Sequence, residues 1–219
     1  MKYSPLGIKS EYTLLTSLIK INDLINFAEQ NNITTLGLLD NNLNGVMEFF
    51  DSCVANDIKP IIGLIVRIND SNYYLYAKNY QGYLELVKIN NKVVLEESVS
   101  LIDLESSDIY VVIPYEFKGN YEELKTIKNI NDIFIAYANL EEKKNLSLVT
   151  SNILFIKEIR CFNSGDTVYL EYLKKIGDND FETFNTAYET DKLNNDDIER
   201  LNKFISTIDI KIDKSKRYI

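Results

Sequence analysis

Apolar residues in this chain switch repeatedly between a strand-like and a helix-like period, and that alternation constrains the fold more than any single motif. The runs at 34–39 and 61–68 are apolar or β-branched and read as buried strands, the first stopping at Asp40 and the second opened by Pro60. Between them Val46, Phe49, Phe50, Cys53 and Val54 recur at helical spacing, which predicts a helix running to Asn56. An earlier helix carries Leu24, Ile25, Phe27 and Ala28 behind Asn22 as its cap. A turn at Asn69-Asp70-Ser71-Asn72 returns the chain as a hairpin strand at 73–77, and a helix follows at 82–89. Further strands are expected at 109–113, 133–137 and 146–150, separated by charged helices at 122–128 and 141–145. This βαβα order predicts a mostly parallel sheet with helices outside it, and two helices at 168–176 and 196–208 complete the chain. The pattern alone is compatible with an open doubly wound sheet and with a closed barrel.

Composition enters as a set of exclusions. The 219 residues include no histidine, so Ser-His and Cys-His nucleophile pairs, a histidine general base and a His-ligated zinc or iron centre are all ruled out. With 45% hydrophobic residues the chain is ample for a proper core, and with three prolines and no Gly/Ser-rich linker it reads as one domain, 1–219. A βα core is expected over about 1–165, with a helical end beyond it. A net charge of -9 repels phosphate backbones, so strong nucleic-acid binding by this domain alone is not expected. The longest strongly apolar run, 60–66, is far too short to span a bilayer, and Lys9 and Glu11 interrupt any signal-peptide core, which predicts a cytoplasmic protein. Cys53 and Cys161 have no CxxC spacing and read as reduced thiols.

The remaining motifs are weak. Gly7-Ile8-Lys9-Ser10 supplies only a fragment of a phosphate-binding Walker loop, and no dinucleotide fingerprint is present. Carboxylate pairs such as Asp196-Asp197 and Glu122-Glu123 sit in helical stretches, where a solvated face is the plain reading.

The order of several short words is more informative. Ser10-Glu11-Tyr12-Thr13-Leu14-Leu15 comes first; Leu39-Asp40-Asn41-Asn42 follows, leading to Gly45-Val46-Met47-Glu48-Phe49. Ile58-Lys59-Pro60-Ile61-Ile62-Gly63 and then Tyr76-Ala77-Lys78-Asn79-Tyr80-Gln81-Gly82-Tyr83 complete the series. Together they resemble the PHP (polymerase and histidinol phosphatase) domain of bacterial replicative DNA polymerase III alpha subunits. The likeness continues at Val149-Thr150-Ser151-Asn152 and in the last residues, where Arg217-Tyr218-Ile219 resembles the crossing into a polymerase palm.

The resemblance implies a distorted TIM-like (βα)7 barrel with its site at the C-terminal ends of the strands. It also implies a longer bacterial replicative polymerase, whose palm and thumb would be this domain's partners together with a proofreading exonuclease subunit. Metal-bearing family members build their site from several His, Asp and Glu side chains. Carried across, those positions fall here on Gly7, Lys9, Asp40, Asn41, Ile65, Asn152 and Leu154, of which Asp40 alone keeps a metal-binding side chain. The expectation is therefore a vestigial, metal-free site with no catalytic residue and no cofactor, in a domain that serves support and docking during DNA replication. Two arrangements are open to Lys9: its ammonium replaces the ion beside Asp40, or it points to solvent. Glu11 and Tyr12 are expected to fix the loop. The competing functional reading is a residual metal-dependent 3'-5' exonuclease or phosphoesterase that uses carboxylates alone.

Overall fold

The computed structural model describes residues 3–119, 121–189 and 193–212. Six strands form one mixed sheet in the order of the chain: β1 (Thr35–Asp40), β2 (Lys59–Ile68), β3 (Ser71–Ala77), β4 (Ile109–Ile113), β5 (Ile133–Tyr137) and β6 (Ile153–Phe155). β1 pairs parallel with β2, and β4, β5 and β6 pair parallel in series, while β3 is antiparallel to both its neighbours. Five strands thus share one direction and β3 alone is reversed. The reversal has a local cause: Ile68 pairs with Ser71, leaving Asn69 and Asp70 as a tight loop, and Asn69 adopts the left-handed conformation (φ 53°) that asparagine tolerates.

The helices are α1 (Ile21–Gln30), α2 (Val46–Ala55), α3 (Tyr80–Val94), α4 (Tyr121–Ile127), α5 (Leu140–Ser147), α6 (Thr167–Gly177) and α7 (Asn195–Ser206). α2 presents Val46, Phe49, Phe50 and Cys53 to the core, the face that its spacing predicts. α3 is capped by Asn79, whose side chain accepts from the Gly82 amide, and Gly82 lets the helix settle on the loop before β4, where an added Cβ would lie 2.0 Å from the Asp108 carbonyl oxygen. Two expectations need correction. The cap of α1 is Lys20, with no side-chain bond, rather than Asn22. The strand expected at 146–150 is instead the end of α5 and a turn, in which the amides of Val149 and Thr150 both donate to Leu146 O; β6 begins at Ile153. The expected crossing at Arg217-Tyr218-Ile219 lies outside the described residues.

The sheet curls into a half-barrel and is not a closed barrel. Between its edge strands runs the N-terminal segment, where Ile8 makes single parallel bridges to Leu38 of β1 and to Ile159 beyond β6. The bridges do not extend into a strand, because Pro5 has no N–H to donate and the Ser10 amide turns to a side chain, Asp40 Oδ1, at 2.8 Å. The approach is close: a Cβ on Gly37 would lie 2.7 Å from Leu6 Cα.

α7 seals the other end. Phe204 meets the rings of Tyr76, Tyr110 and Phe134 at 5.8, 4.8 and 5.2 Å; Tyr76 and Tyr110 are register partners on β3 and β4, and Phe134 is the second residue of β5. Asp197 fixes the helix start: its carboxylate accepts from the Asn194 amide and from the Tyr137 hydroxyl, and pairs with Lys143 at 2.5 Å. Burial alone would raise the Asp197 pKa, but Lys143, Tyr137 and Asn194 outweigh it and hold the carboxyl below its usual value.

Two outcomes follow for stability. Phe204→Ala should lower the unfolding free energy by about 3–5 kcal/mol, read from urea denaturation. A carboxylate depressed in the folded state contributes stability that is present above its unfolded pKa of about 3.9 and is lost as pH falls through the lower folded value. Wild type should therefore lose more stability on acidification through that window than Asp197→Asn; parallel pH profiles would contradict the role given to Asp197.

Candidate functional site at the carboxyl ends of the strands

Five co-directional strands bring their C-terminal ends to one side, and the side chains gathered there are unusually charged for a buried position. Asp40, the last residue of β1, is fully buried. Its carboxylate accepts from the Ser10 amide, the Ser10 hydroxyl and the Thr13 hydroxyl, the last at 2.7 Å. Ser10 and Thr13 reach it because the chain turns between them, with Thr13 N donating to Ser10 O at 3.0 Å. The loop is held from outside by Tyr12, whose ring packs over Gly45 and whose hydroxyl donates to Glu48 at 2.6 Å, a packing role as expected.

Lys9 is buried, at 3% exposure, so it does not point to solvent. Neither does it neutralise Asp40 directly: no ion pair joins the two among the described residues, and the Asp40 oxygens are already engaged by hydroxyls and an amide. Successive side chains of an extended segment leave on opposite faces, so the Ser10 contact with Asp40 sends Lys9 elsewhere. Burial pulls the Lys9 pKa below the usual lysine value, opposed first by Glu158 and only weakly by Asp40. Glu158 lies in the segment after β6. Burial would raise its pKa, but Lys9 and Arg160 hold it below the usual carboxylate value. Arg160 binds Glu158 at 2.6 Å and Thr16 O at 2.9 Å and lies over the Phe181 ring, while its buried Nε has no hydrogen-bond partner. Lys157 is also buried and pairs with Glu189 at 3.0 Å.

The family-derived positions do not meet as one group. Gly7 and Lys9 lie on the segment that binds β1, but it is Ser10 that meets Asp40, while Gly7 lies against Lys157 O. Asn41 follows in the exposed loop, accepting from Asn42, and Ile65 is one residue beyond Leu64, the register partner of Asp40. Asn152 lies just before β6 and Leu154 at its middle; the Asn152 side-chain amide donates to Ile130 O at 3.2 Å, at the opposite end of the strands from Asp40. In their place the structure brings Lys157, Glu158 and Arg160 to the mouth, with Tyr74, the partner of Ile65, donating to Glu158 at 3.4 Å. The available signal was the charged Lys157-Glu158-Ile159-Arg160 stretch directly behind an apolar run.

A cleft of about 490 Å³ opens beside this cluster, walled by Tyr74, Tyr115, Tyr137, Lys157, Glu158 and Glu182. Among the described residues no three His, Cys, Asp or Glu side chains converge as a metal-binding group. The donor set does not suit a divalent ion: Glu158 and Glu189 face buried cations, and Asp40 faces hydroxyls. Gly7 adds a steric limit, because a Cβ there would lie 2.2 Å from the Lys157 carbonyl oxygen. An imidazole at position 7 requires the backbone to move. The two cysteines take no part; both are free and buried, and burial pushes the thiol of Cys53 up to about 12 and that of Cys161 up to about 11.

Residues 6–181 match the family model of the PHP domain. The chain is 36% identical over 108 residues to DNA polymerase III subunit alpha of Ureaplasma parvum serovar 3, covering 49% of this chain and 11% of that protein. It is 25% identical over 222 residues to the subunit of the same name from Staphylococcus aureus strain COL, covering 94% of this chain and 20% of that protein. The chain thus spans only a tenth to a fifth of the length of these relatives. On the strength of a family match that covers most of its length, the chain belongs to the PHP domain family and is a PHP domain like that of DNA polymerase III alpha subunits.

Proposed function

We propose that this is a metal-free, non-catalytic PHP domain that provides structural support and protein docking within a bacterial replicative DNA polymerase III alpha subunit. On this reading the curled sheet is a distorted TIM-like barrel whose closure runs through the Ile8 segment in place of a full strand. The observation that carries the proposal is the charge pattern at the carboxyl ends of the strands. Metal ligation needs carboxylates with free lone pairs and no competing cation, whereas here Lys9, Lys157 and Arg160 are buried among the carboxylates. Glu158 is taken by Arg160, Glu189 by Lys157 and Asp40 by Ser10 and Thr13.

The domain's partners on this reading are the palm and thumb of the polymerase and a proofreading exonuclease subunit. The domain works in the cytoplasm and contributes no strong nucleic-acid binding of its own. No described helix is long and apolar enough to cross a membrane.

Elemental analysis of the purified chain after dialysis against zinc or manganese should find well under one ion per chain, with no change in melting temperature. A stoichiometric ion, or manganese-dependent release of nucleotides from a single-stranded primer that Asp40→Ala abolishes, would overturn the proposal in favour of the carboxylate-only exonuclease. Asp40→Ala itself should cost about 1–3 kcal/mol for each donor left unpaired, whether or not metal is present. Gly7→His should destabilise the chain without conferring zinc binding, since the new side chain meets the Lys157 carbonyl before it meets any ligand; a Gly7→His variant as stable as wild type would refute that steric limit.

A further inference from the structure

The cleft of about 490 Å³ at the strand ends is walled by rings: Tyr74 and Tyr137 from the sheet, Tyr115 from the loop after β4, and Phe184 from the segment that follows α6. Its volume falls in the range of about 300–1,000 Å³ typical of small-molecule sites. Tyr115 is 37% and Phe184 72% exposed, so two of the four rings have faces open to a ligand. Phe184 stands on a pinned turn. Thr183 and Thr186 on either side of it are buried, the Thr183 hydroxyl donates to Glu171, the Thr186 hydroxyl donates to Thr183 O at 2.8 Å, and the Arg160 amide donates to Thr186 O at 2.8 Å. The exposed ring is thus fixed at the cleft by residues that are themselves buried.

The charge of the wall selects the ligand. Four carboxylates line it, those of Glu116, Glu142, Glu158 and Glu182, against one basic side chain, Lys157, which is buried and held by Glu189 at 3.0 Å. Glu158 is balanced by Arg160. Glu142 accepts from the Ala138 amide and from Asn139, Glu182 accepts from the Phe184 amide at 3.1 Å, and Glu116 has no partner among the described residues; no lysine or arginine pairs with any of these three. A phosphate or carboxylate ligand would meet this wall with like charge. A divalent ion needs oxygens converging on one point, and no three do so here. An organic cation needs neither: its charge is spread and weakly hydrated, ring faces attract it, and separate carboxylates serve separate ammonium groups. We propose that this cleft binds a free polyamine, its ammonium groups against Glu116 and Glu182 and its methylene chain across the rings of Tyr115 and Phe184.

The probe is spermidine, titrated calorimetrically at low ionic strength into the protein at its natural length and freed of nucleic acid. Spermidine should give saturable heat and inorganic phosphate none. Glu116→Gln combined with Glu182→Gln, in which residue 182 still accepts from the Phe184 amide, should weaken spermidine binding about tenfold, as expected for the loss of two exposed ion pairs. Phe184→Leu keeps apolar area but removes the π face and should weaken it about threefold. Glu96→Gln combined with Glu97→Gln removes the same charge from exposed positions outside the cleft and should leave binding unchanged. Equal weakening by that second pair would reduce the binding to the general attraction of a chain of net charge -9 and overturn the site. Absence of saturable heat, full affinity in the Glu116 and Glu182 variant, or binding of phosphate in place of spermidine would overturn it as well. A lysine-rich peptide that binds through Glu116 and Glu182 where spermidine does not would give the cleft to a polypeptide side chain and refute the polyamine.

Discussion

The capture of Asp40 by Ser10 and Thr13 is the contact on which the architecture turns. The sheet is open between β1 and β6, and among the described residues the gap is spanned by the segment ending at Lys9. That segment holds β1 by bonds from Ile8 N to Gly37 O and from Leu39 N to Ile8 O, and holds the far edge by bonds between Lys9 N and Ile159 O and between Ile159 N and Gly7 O. Single bridges fray unless something pins their ends. The buried carboxylate does so, because its three acceptor contacts have no access to water as an alternative partner. A residue that the family resemblance places at a metal-ligand position thus has a structural occupation here.

The same logic accounts for the cations. A divalent ion surrounded by carboxylates and imidazoles supplies positive charge at the strand ends; without the imidazoles, buried carboxylates need another counter-charge. Arg160 supplies it to Glu158 through a direct contact, and Lys157 supplies it to Glu189. Lys9 contributes at longer range, and its lowered pKa records what burial of an ammonium costs when no carboxylate touches it. On the proposed metal-free reading, the charge at the strand ends is balanced through Arg160 and Lys157 more than through the Lys9–Asp40 pair that the sequence suggested.

Most of the fold was legible because strand and helix periods are strong where burial is one-sided. α2, the hairpin after Ile68 and the helices at 167–177 and 195–206 fall where the spacing placed them. The error at 146–150 has a definite cause: Leu146, Leu148 and Val149 look like a strand, but Leu146 alone is buried while Leu148 and Val149 are exposed at the end of α5, and local sequence does not report which apolar residues find a partner. Asn152 and Leu154 were placed by likeness of the words around them, whereas the residues that reach the mouth are Glu158 and Arg160. Closure was not legible either, since pairing of Ile8 with both Leu38 and Ile159 joins residues too far apart in sequence for any periodicity to link.

The reversed strand adds one consequence. Because β3 runs against its neighbours, Tyr74 sits near its middle opposite Ile65 and yet reaches the strand-end cluster, donating to Glu158. It stands beside the mouth with Tyr137 at the end of β5, and burial raises the pKa of both phenols far above ordinary tyrosine, so both remain neutral donors at any physiological pH. Neutral donors and paired charges line this cleft. On the proposed reading, that arrangement keeps the shape of these strand ends without an ion.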